Sequence, residues 1–340
     1  MADPRFHTVV AFDGAEIHVE EDGAPDAPVT VVLAHGWTLS GRAWRAQAAA
    51  LSRSEPSAEP AFARNTAPAA SGEVRVLRYD QRGHGFSTQG GAWHEGVGGA
   101  GAARFGPGPS IDQLGRDLAA VLDQLVPAGP AVLAGHSMGG MAIMALAQQR
   151  PRLFGGKVAG VLLTNTSGGA LDRLTLGFPE LLAKPVRASL VKTMRGIAAR
   201  PGRADAVRAR QATGTRLAVA QTRWLLFGRR APRPAIVECN EIIKACPSAT
   251  LAGFFPALMV HDKRAALTAL GAAEVEVVAA DRDRLTPLTH ARRLAEAIPG
   301  ARLTVVPGAG HMLPMERPQA VTALLNRLVA AAAARAENAA

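Results

Sequence analysis

The segment Gly135-His136-Ser137-Met138-Gly139 is the part of this sequence best suited to covalent chemistry. It lies between a run at 131–135, typical of a buried strand, and a predicted helix at 138–149. A serine on such a tight turn presents its hydroxyl above the edge of a sheet, and the two glycines leave room for neighbouring backbone. N–H groups at the start of the helix would stabilise an oxyanion that forms there. The pattern predicts that Ser137 is a nucleophile, and the alternative is a purely structural turn.

A serine nucleophile needs a general base, and that base needs a carboxylate to orient it. His311 lies in a glycine-rich loop after a predicted strand at 302–306, which places it at the C-terminal edge of a parallel sheet. Without the serine motif, His311 would be read as an ordinary surface or core histidine. Asp281 and Asp283 both follow a predicted strand at 274–279, and on residue types alone either is a candidate for the acid or a solvated loop carboxylate.

Two backbone N–H groups, those of Trp37 and Met138, are predicted to form an oxyanion hole. Met138 directly follows the nucleophile. Trp37 lies in the loop after the first buried strand, the usual origin of the second donor in a strand–serine–helix site. Gly36 allows a close turn there, and we interpret His35 as a structural residue that braces this loop.

These residues need parallel strands whose C-terminal ends meet at one edge of a sheet. Asp13-Gly14 between two alternating runs predicts an opening hairpin. The predicted strands are 6–12, 15–21, 29–34, 74–79, 131–135, 158–164, 274–279 and 302–306. The predicted helices lie near 42–51, from an N-cap at Ser110, at 138–149, near 288–298 and after Pro318.

The alternation of strands and helices stops after residue 164 and resumes at 274. Between these points, residues 170–255 have helical character interrupted by prolines. We therefore predict one core formed by 1–164 and 257–340, with a helical cap at 165–256 inserted into it. Two segments without periodicity, 52–73 and 88–109, are predicted to be mobile surface loops that carry no site.

Composition excludes several classes of protein. A hydrophobic content of 48% over 340 residues allows a sizeable core and excludes global disorder. Two cysteines exclude a disulfide scaffold, and the absence of a Cys/His cluster argues against zinc, so neither a metal nor a cofactor is expected. No signal peptide or apolar run of about 20 residues is visible, so a cytoplasmic location is expected.

Positive charge is concentrated in the predicted cap. Residues 170–235 contain 14 Lys and Arg against three acidic residues, a net charge of +11, whereas the whole chain carries +10. Within this segment a run of apolar residues follows helical spacing with basic residues between them: Leu182, Val186, Leu190, Met194 and Ile197. Such a helix can lie on anionic lipid, although packing against the core with its charges in solvent is the favoured alternative.

Partners of other kinds are less well supported. Aromatic residues make up 4% of the chain and do not alternate with basic ones, so nucleic-acid binding is not expected. The oligomeric state stays open.

The order of these motifs resembles the α/β-hydrolase superfamily, in its branch of serine esterases, lipases and cofactor-free peroxidases. The resemblance covers nearly the whole chain and implies a mostly parallel twisted sheet flanked by helices, with an inserted helical cap. The spacing from Asp283 to Pro287 matches the family's usual acid, which favours Asp283 over Asp281. In such proteins Asp80 and Arg82 brace a structural turn. The matching segments are His35-Gly36-Trp37, residues 79–87, residues 135–140, residues 283–287, and Gly310-His311 with Glu316-Arg317-Pro318.

The resemblance implies a serine hydrolase that cleaves a carboxylic ester through an acyl-enzyme, with Ser137, Asp283 and His311 as catalytic triad. Epoxide hydrolases and dehalogenases of this family attack with aspartate, and the serine at 137 argues against them. Acyl thioesterases, C–C bond hydrolases and cofactor-free perhydrolases use the same triad and remain alternatives. The partner that the resemblance implies is a small-molecule acyl ester or thioester substrate. A non-catalytic ligand-binding protein on this fold is the alternative outside enzymes.

Overall fold

The computed structural model of the chain describes residues 4–52, 74–93, 108–171, 180–211 and 215–338. Its described strands form one sheet in the order β1-β2-β4-β3-β5-β6-β7-β8, which is parallel from β4 to β8 and antiparallel at β1 and β2. The strands are β1 Arg5–Val10, β2 Glu16–Asp22, β3 Thr30–Ala34, β4 Arg75–Tyr79, β5 Ala131–His136, β6 Val158–Thr164, β7 Glu274–Ala280 and β8 Arg302–Val306. Each predicted strand is present within two residues of its expected ends.

Helices follow most of the parallel strands. In the first half of the chain they are α1 Arg45–Leu51, α2 Ile111–Leu125 and α3 Met138–Gln149. Between β6 and β7 they are α4 Glu180–Ala199, α5 Pro201–Ala209, α6 Arg216–Leu226, α7 Arg233–Ala245, α8 Ser248–Met259 and α9 Leu267–Leu270. The last three are α10 Leu288–Ala297, α11 Leu313–Glu316 and α12 Pro318–Glu337. Ser110 caps α2 as predicted, because its Oγ accepts the N–H of Gln113 at 3.2 Å and the Gln113 side chain accepts the N–H of Ser110 at 2.9 Å.

The sheet is covered on both faces. Helices α2, α3, α9 and α10 contribute Leu118, Leu122, Ile143, Leu270 and Leu294 to the core on one side. Helices α1 and α12 cover the other side. Strands β3, β5 and β6 are buried along their whole length, which explains why they are apolar at every position instead of alternating.

The described residues between β6 and β7 are mainly helical, in the region predicted to form a cap. On α4, the side chains of Val186, Leu190 and Met194 are half-buried. Helix α8 packs Phe254 and Leu258 against the apolar side chains of α3. Among the described helices, none alone has the length and hydropathy to span a bilayer, although α7 and α8, bent by 97°, meet that test as a pair.

The two predicted mobile loops lie largely outside the described residues, at 53–73 and 94–107. Part of the second loop, 88–93, is described, and its residues are exposed or half-buried except at Trp93. Trp93 is buried and makes an edge-on contact with Phe254 at 5.4 Å, and the N–H of Ala92 donates to Asp13 at 2.9 Å. A single large aromatic side chain therefore anchors a stretch that has no apolar periodicity.

Arg82 holds three segments of the core together. Its guanidinium has no solvent exposure and contacts Asp117 on α2 at 2.6 and 2.7 Å. It also contacts the hairpin residue Asp13 at 2.8 and 3.1 Å. Nearby, the carboxylate of Asp80 accepts the N–H groups of Gly41 at 2.7 Å and Phe86 at 2.9 Å. Asp80 and Arg82 therefore have the bracing role that the resemblance implies.

Replacing Arg82 tests the importance of this buried ion pair. Arg82→Met should lower the free energy of unfolding by about 3–5 kcal/mol, because Asp117 would keep a buried charge without a guanidinium partner. Arg150→Met is the control, since it breaks the exposed pair of Arg150 with Asp123 and should cost less than about 1 kcal/mol. Urea unfolding of both variants gives the comparison. Equal losses of unfolding free energy would show that the buried Arg82 contacts stabilise the protein no more than an exposed ion pair does.

Candidate functional site

Ser137 occupies a strained turn between β5 and α3. It has a positive φ of 53° with ψ −116°, a conformation that residues with a side chain rarely adopt. A Cβ at Gly135 would lie 2.4 Å from the nitrogen of Gly140, and one at Gly139 would lie 2.1 Å from the carbonyl oxygen of Ala34. The glycines of the motif are therefore required by close backbone packing.

The strained turn is held by the end of the neighbouring strand. The N–H of Ser137 donates to the carbonyl of Thr164, the last residue of β6, at 3.0 Å. The Thr166 hydroxyl donates to the carbonyl of Ser137 at 2.6 Å. Ser137 itself is half-buried, so its backbone is fixed while its side chain keeps access to solvent.

His311 and Asp283 form a buried hydrogen-bonded pair. The Nδ1 of His311 donates to Oδ2 of Asp283 at 2.8 Å. The same carboxylate accepts the N–H groups of Leu285 at 2.8 Å and Thr286 at 3.0 Å, and the Thr286 hydroxyl at 2.7 Å. Burial by itself would raise the pKa of Asp283, but the charge of His311 and these hydrogen bonds outweigh it and hold the pKa below its ordinary value. An ionised Asp283 fixes the imidazole with Nε2 as its basic nitrogen.

Asp281 lies elsewhere in the same loop. Its carboxylate accepts the N–H of Gly308 at 2.7 Å, approaches Arg282 at 3.7 Å and is partly exposed at the surface. Of the two carboxylates considered from the sequence, the structure places Asp283 against His311.

The loop of His311 is fastened beside the serine turn. His136 donates from Nε2 to the carbonyl of His311 at 2.8 Å, and the two rings lie 4.9 Å apart between centroids. Since His136 precedes Ser137 in the chain, these contacts bring the histidine loop and the serine turn together.

Two further side chains position this loop, and sequence reasoning gave neither of them a role. The Asn165 amide donates to the carbonyls of Gly310 at 2.9 Å and His311 at 2.8 Å, and its oxygen accepts the N–H of Ala280 at 2.9 Å. The carboxylate of Glu316 accepts the N–H groups of Gly310 at 2.9 Å and Gly228 at 3.0 Å. In the sequence, the only sign of a role for Asn165 is its position directly after a predicted buried strand. Glu316 stands out there only as part of a segment that matches the family.

The loop after β3 lies directly against the serine turn. A Cβ at Gly36 would lie 2.9 Å from Nδ1 of His136 and 3.2 Å from Cβ of Ser137. Trp37 follows Gly36 and Met138 follows Ser137, so the two residues predicted to supply the oxyanion hole flank the serine. Met138 is the first residue of α3, and its N–H therefore has no carbonyl partner in a preceding helical turn.

Two buried neutral histidines brace this loop. His35 accepts the N–H of Gln81 on Nε2 at 2.9 Å, and its Nδ1 contacts the carbonyl of Gly36 at 2.7 Å. His84 accepts the N–H of Thr38 on Nε2 at 3.2 Å. Burial lowers the pKa of His35 to about 4, and burial together with the neighbouring His35 lowers that of His84 to about 3. His35 thus has the structural role expected from the sequence, because both of its ring nitrogens are engaged.

The arrangement provides the components of acyl transfer. A serine lies at a helix N-terminus, the loop of an imidazole oriented by a buried carboxylate is fastened to the serine turn through His136, and the loop after β3 approaches the same turn. Covalent attack, proton transfer and oxyanion stabilisation all require groups of these kinds.

Comparison with known proteins gave one family and several solved structures. The sequence profile of the alpha/beta hydrolase family matches residues 31–324. A bifunctional esterase/perhydrolase of Acinetobacter calcoaceticus is 33% identical over 132 residues, which are 39% of this chain. That match spans about a third of the relative's length, 35%.

Several similar solved structures are described as enzymes, and two of them show the extent of the likeness. A thermophilic esterase from Thermogutta terrifontis superposes with a TM-score of 0.65 at 23% identity, covering 96% of this chain and 99% of that one. An enol-lactonase from Burkholderia xenovorans gives a TM-score of 0.61 at 23% identity, covering 95% and 99% of the two chains. At this level of identity the likeness establishes a shared fold.

The buried histidines predict how stability depends on pH. In the unfolded chain a histidine takes up a proton near pH 6.5, whereas His35 and His84 do so only near pH 4 and 3 in the folded protein. Between these values the unfolded state binds more protons, so stability is fully present above pH 6.5 and decreases as pH falls, by about 1.4 kcal/mol per pH unit for each group. Urea unfolding at several pH values between 7.5 and 4 measures this slope.

Substitution of His84 tests whether the buried histidines cause this pH dependence of stability. His84→Gln should be less stable at pH 7.5 but should show a shallower pH dependence than the wild type. Stability that is constant from pH 6.5 to 4 would contradict the burial of neutral imidazoles.

Proposed function

Because the chain belongs to the α/β-hydrolase family, we propose that it is a serine hydrolase that cleaves a carboxylic ester through an acyl-enzyme intermediate. The observation that carries this proposal is the juxtaposition of the strained Ser137 turn with the loop of His311, whose imidazole is bonded to buried Asp283. The relative named as an esterase/perhydrolase supports ester chemistry.

The proposed reaction uses the same groups for formation and for hydrolysis of the acyl-enzyme. Ser137 Oγ attacks the acyl carbon while His311 Nε2 takes its proton, and His311 then returns that proton to the leaving alcohol. Asp283 stabilises the imidazolium that forms between these steps. The N–H groups of Trp37 and Met138 stabilise the negative charge on the carbonyl oxygen. Water then attacks the acyl-enzyme by the same sequence and releases the acid.

Perhydrolysis is the second candidate, because the Acinetobacter calcoaceticus relative is described as both an esterase and a perhydrolase. In that reaction hydrogen peroxide replaces water as the species that attacks the acyl-enzyme, and a peracid leaves instead of a carboxylic acid. The same three side chains serve both reactions. A comparison of ester consumption and peracid formation at graded peroxide concentrations distinguishes the two outcomes.

The nucleophile is tested by removing its hydroxyl. Ser137→Ala should lower kcat for a p-nitrophenyl ester by about 10⁶, because no covalent intermediate can form. Ser189→Ala, on the exposed surface of α4, removes the same atom elsewhere and should leave kcat unchanged. If purified, folded Ser137→Ala protein retained a tenth of the wild-type activity, Ser137 would not be the nucleophile.

The acid is tested by a pair of substitutions two residues apart. Asp283→Asn should lower kcat by about 10⁴, because an amide cannot hold the imidazole in the required tautomer. Asp281→Asn should have little effect on kcat, because the Asp281 carboxylate binds the backbone of Gly308 at the surface. Steady-state kinetics of both proteins give the answer, and a greater loss in Asp281→Asn would move the role of acid to that residue.

A further inference from the structure

Helix α6 presents apolar side chains on two opposite faces. Its inner face buries Leu226, and Val219 packs against the same apolar cluster. On its outer face, Leu217 is 69% exposed and Trp224 is 46% exposed. These two residues are seven positions apart, which places them on one side of a helix with 3.6 residues per turn. The outer face therefore carries an exposed leucine and a partly exposed tryptophan in line, and the tryptophan ring lies under the guanidinium of Arg284.

Positive charge borders this outer face. Arg216 and Arg223 are also seven positions apart and exposed, so they form a row beside Leu217 and Trp224. Helix α6 contains no acidic residue, and the arginines at 229 and 230 that follow it are exposed as well. The outer face therefore combines an apolar stripe with a cationic flank.

The end of α6 that carries Trp224 and Leu226 adjoins both loops of the candidate site. At its C-terminal end, the carbonyl of Leu226 accepts the N–H of Met312, next to His311, at 3.1 Å. The guanidinium of Arg284, next to Asp283, lies over the Trp224 ring at 4.7 Å and donates to the Trp224 carbonyl. A surface that bound this face of the helix would thus lie close to the loops of the acid and the base.

We propose that the outer face of α6 docks on an anionic lipid bilayer. Leu217 and Trp224 enter the boundary between headgroups and acyl chains, where tryptophan is favoured, and Arg216 and Arg223 face the lipid phosphates. The concentration of charge supports this occupant, because residues 170–235 carry a net charge of +11 while the chain as a whole carries +10. At physiological salt this attraction acts over about 8 Å.

Charge also decides against a second copy of the chain as the occupant. Another α6 face would bring the same arginines against Arg216 and Arg223, and like charges would oppose the contact. A polyanion without an apolar layer, such as duplex nucleic acid, would pair with the arginines but would leave Leu217 and Trp224 against a polar surface. A bilayer with anionic headgroups offers phosphates to the arginines and an apolar layer to Leu217 and Trp224.

The test measures vesicle binding in the Ser137→Ala protein, so that its outcome is independent of hydrolysis. Sedimentation with vesicles of phosphatidylcholine and phosphatidylglycerol in equal parts should show binding that weakens as salt rises, and pure phosphatidylcholine should bind at least tenfold less. Arg216→Gln with Arg223→Gln should reduce the partition coefficient by about 30-fold. Arg150→Gln with Arg152→Gln removes the same charge at the opposite edge of the sheet, before β6, and should leave it unchanged.

Tryptophan fluorescence identifies the face that binds. Of the four tryptophans, all in described segments, Trp224 is exposed, Trp37 is half-buried, and Trp44 and Trp93 are buried. Vesicles should shift the emission to shorter wavelength, and Trp224→Phe should remove this shift while it retains binding. Equal binding to both lipids would overturn the proposal. So would unchanged binding of the double variant at Arg216 and Arg223, or an emission shift that persists in Trp224→Phe. Self-association through α6, or tighter binding to duplex DNA than to vesicles, would also overturn it.

Discussion

The left-handed backbone of Ser137 is the constraint on which the rest of the site depends. A non-glycine residue in this conformation costs on the order of 1–3 kcal/mol and persists only when its surroundings leave no alternative. Here Gly135 and Gly139 bring β5, α3 and β3 too close for a Cβ, and the end of β6 holds the N–H of Ser137. In this conformation the serine lies at a helix N-terminus and is half-buried, so its side chain keeps access to solvent.

The parallel order of β5, β6, β7 and β8 brings the other groups to the same edge. A residue of the site follows the C-terminal end of each of these strands. Ser137 and Asn165 come directly after β5 and β6, and Asp283 and His311 lie in the short loops after β7 and β8. Asn165 connects three of these ends through its amide, and the ionised Asp283 is satisfied by Thr286 as well as His311. Positions far apart in the sequence are thus held by hydrogen bonds that are themselves buried.

The sequence predicted the features that have a local signature. The glycines around Ser137 and the fully apolar strands are visible in a short window, and the family resemblance separated Asp283 from Asp281. The role of Asn165 arises from contacts made across the sheet edge, more than 100 positions apart in the case of Asn165 and His311, so no short window could contain it. Glu316 lies close in sequence to Gly310, but its other contact, with Gly228, also joins distant parts of the chain. Trp93 was missed for a related reason, because its anchor is Phe254 on a distant helix. The outward stripe of α6 also required the structure, since only packing shows which apolar face is buried.

Covalent labelling tests the central claim, that the strained Ser137 is a nucleophile activated by the His311–Asp283 pair, most directly. The protein is treated with a fluorophosphonate, the adduct is located by peptide mass spectrometry, and the rate is compared with that of the Asp283→Asn variant. The account predicts one adduct, on Ser137, formed much more slowly in the variant. Labelling of another serine, or equal rates in the two proteins, would contradict it.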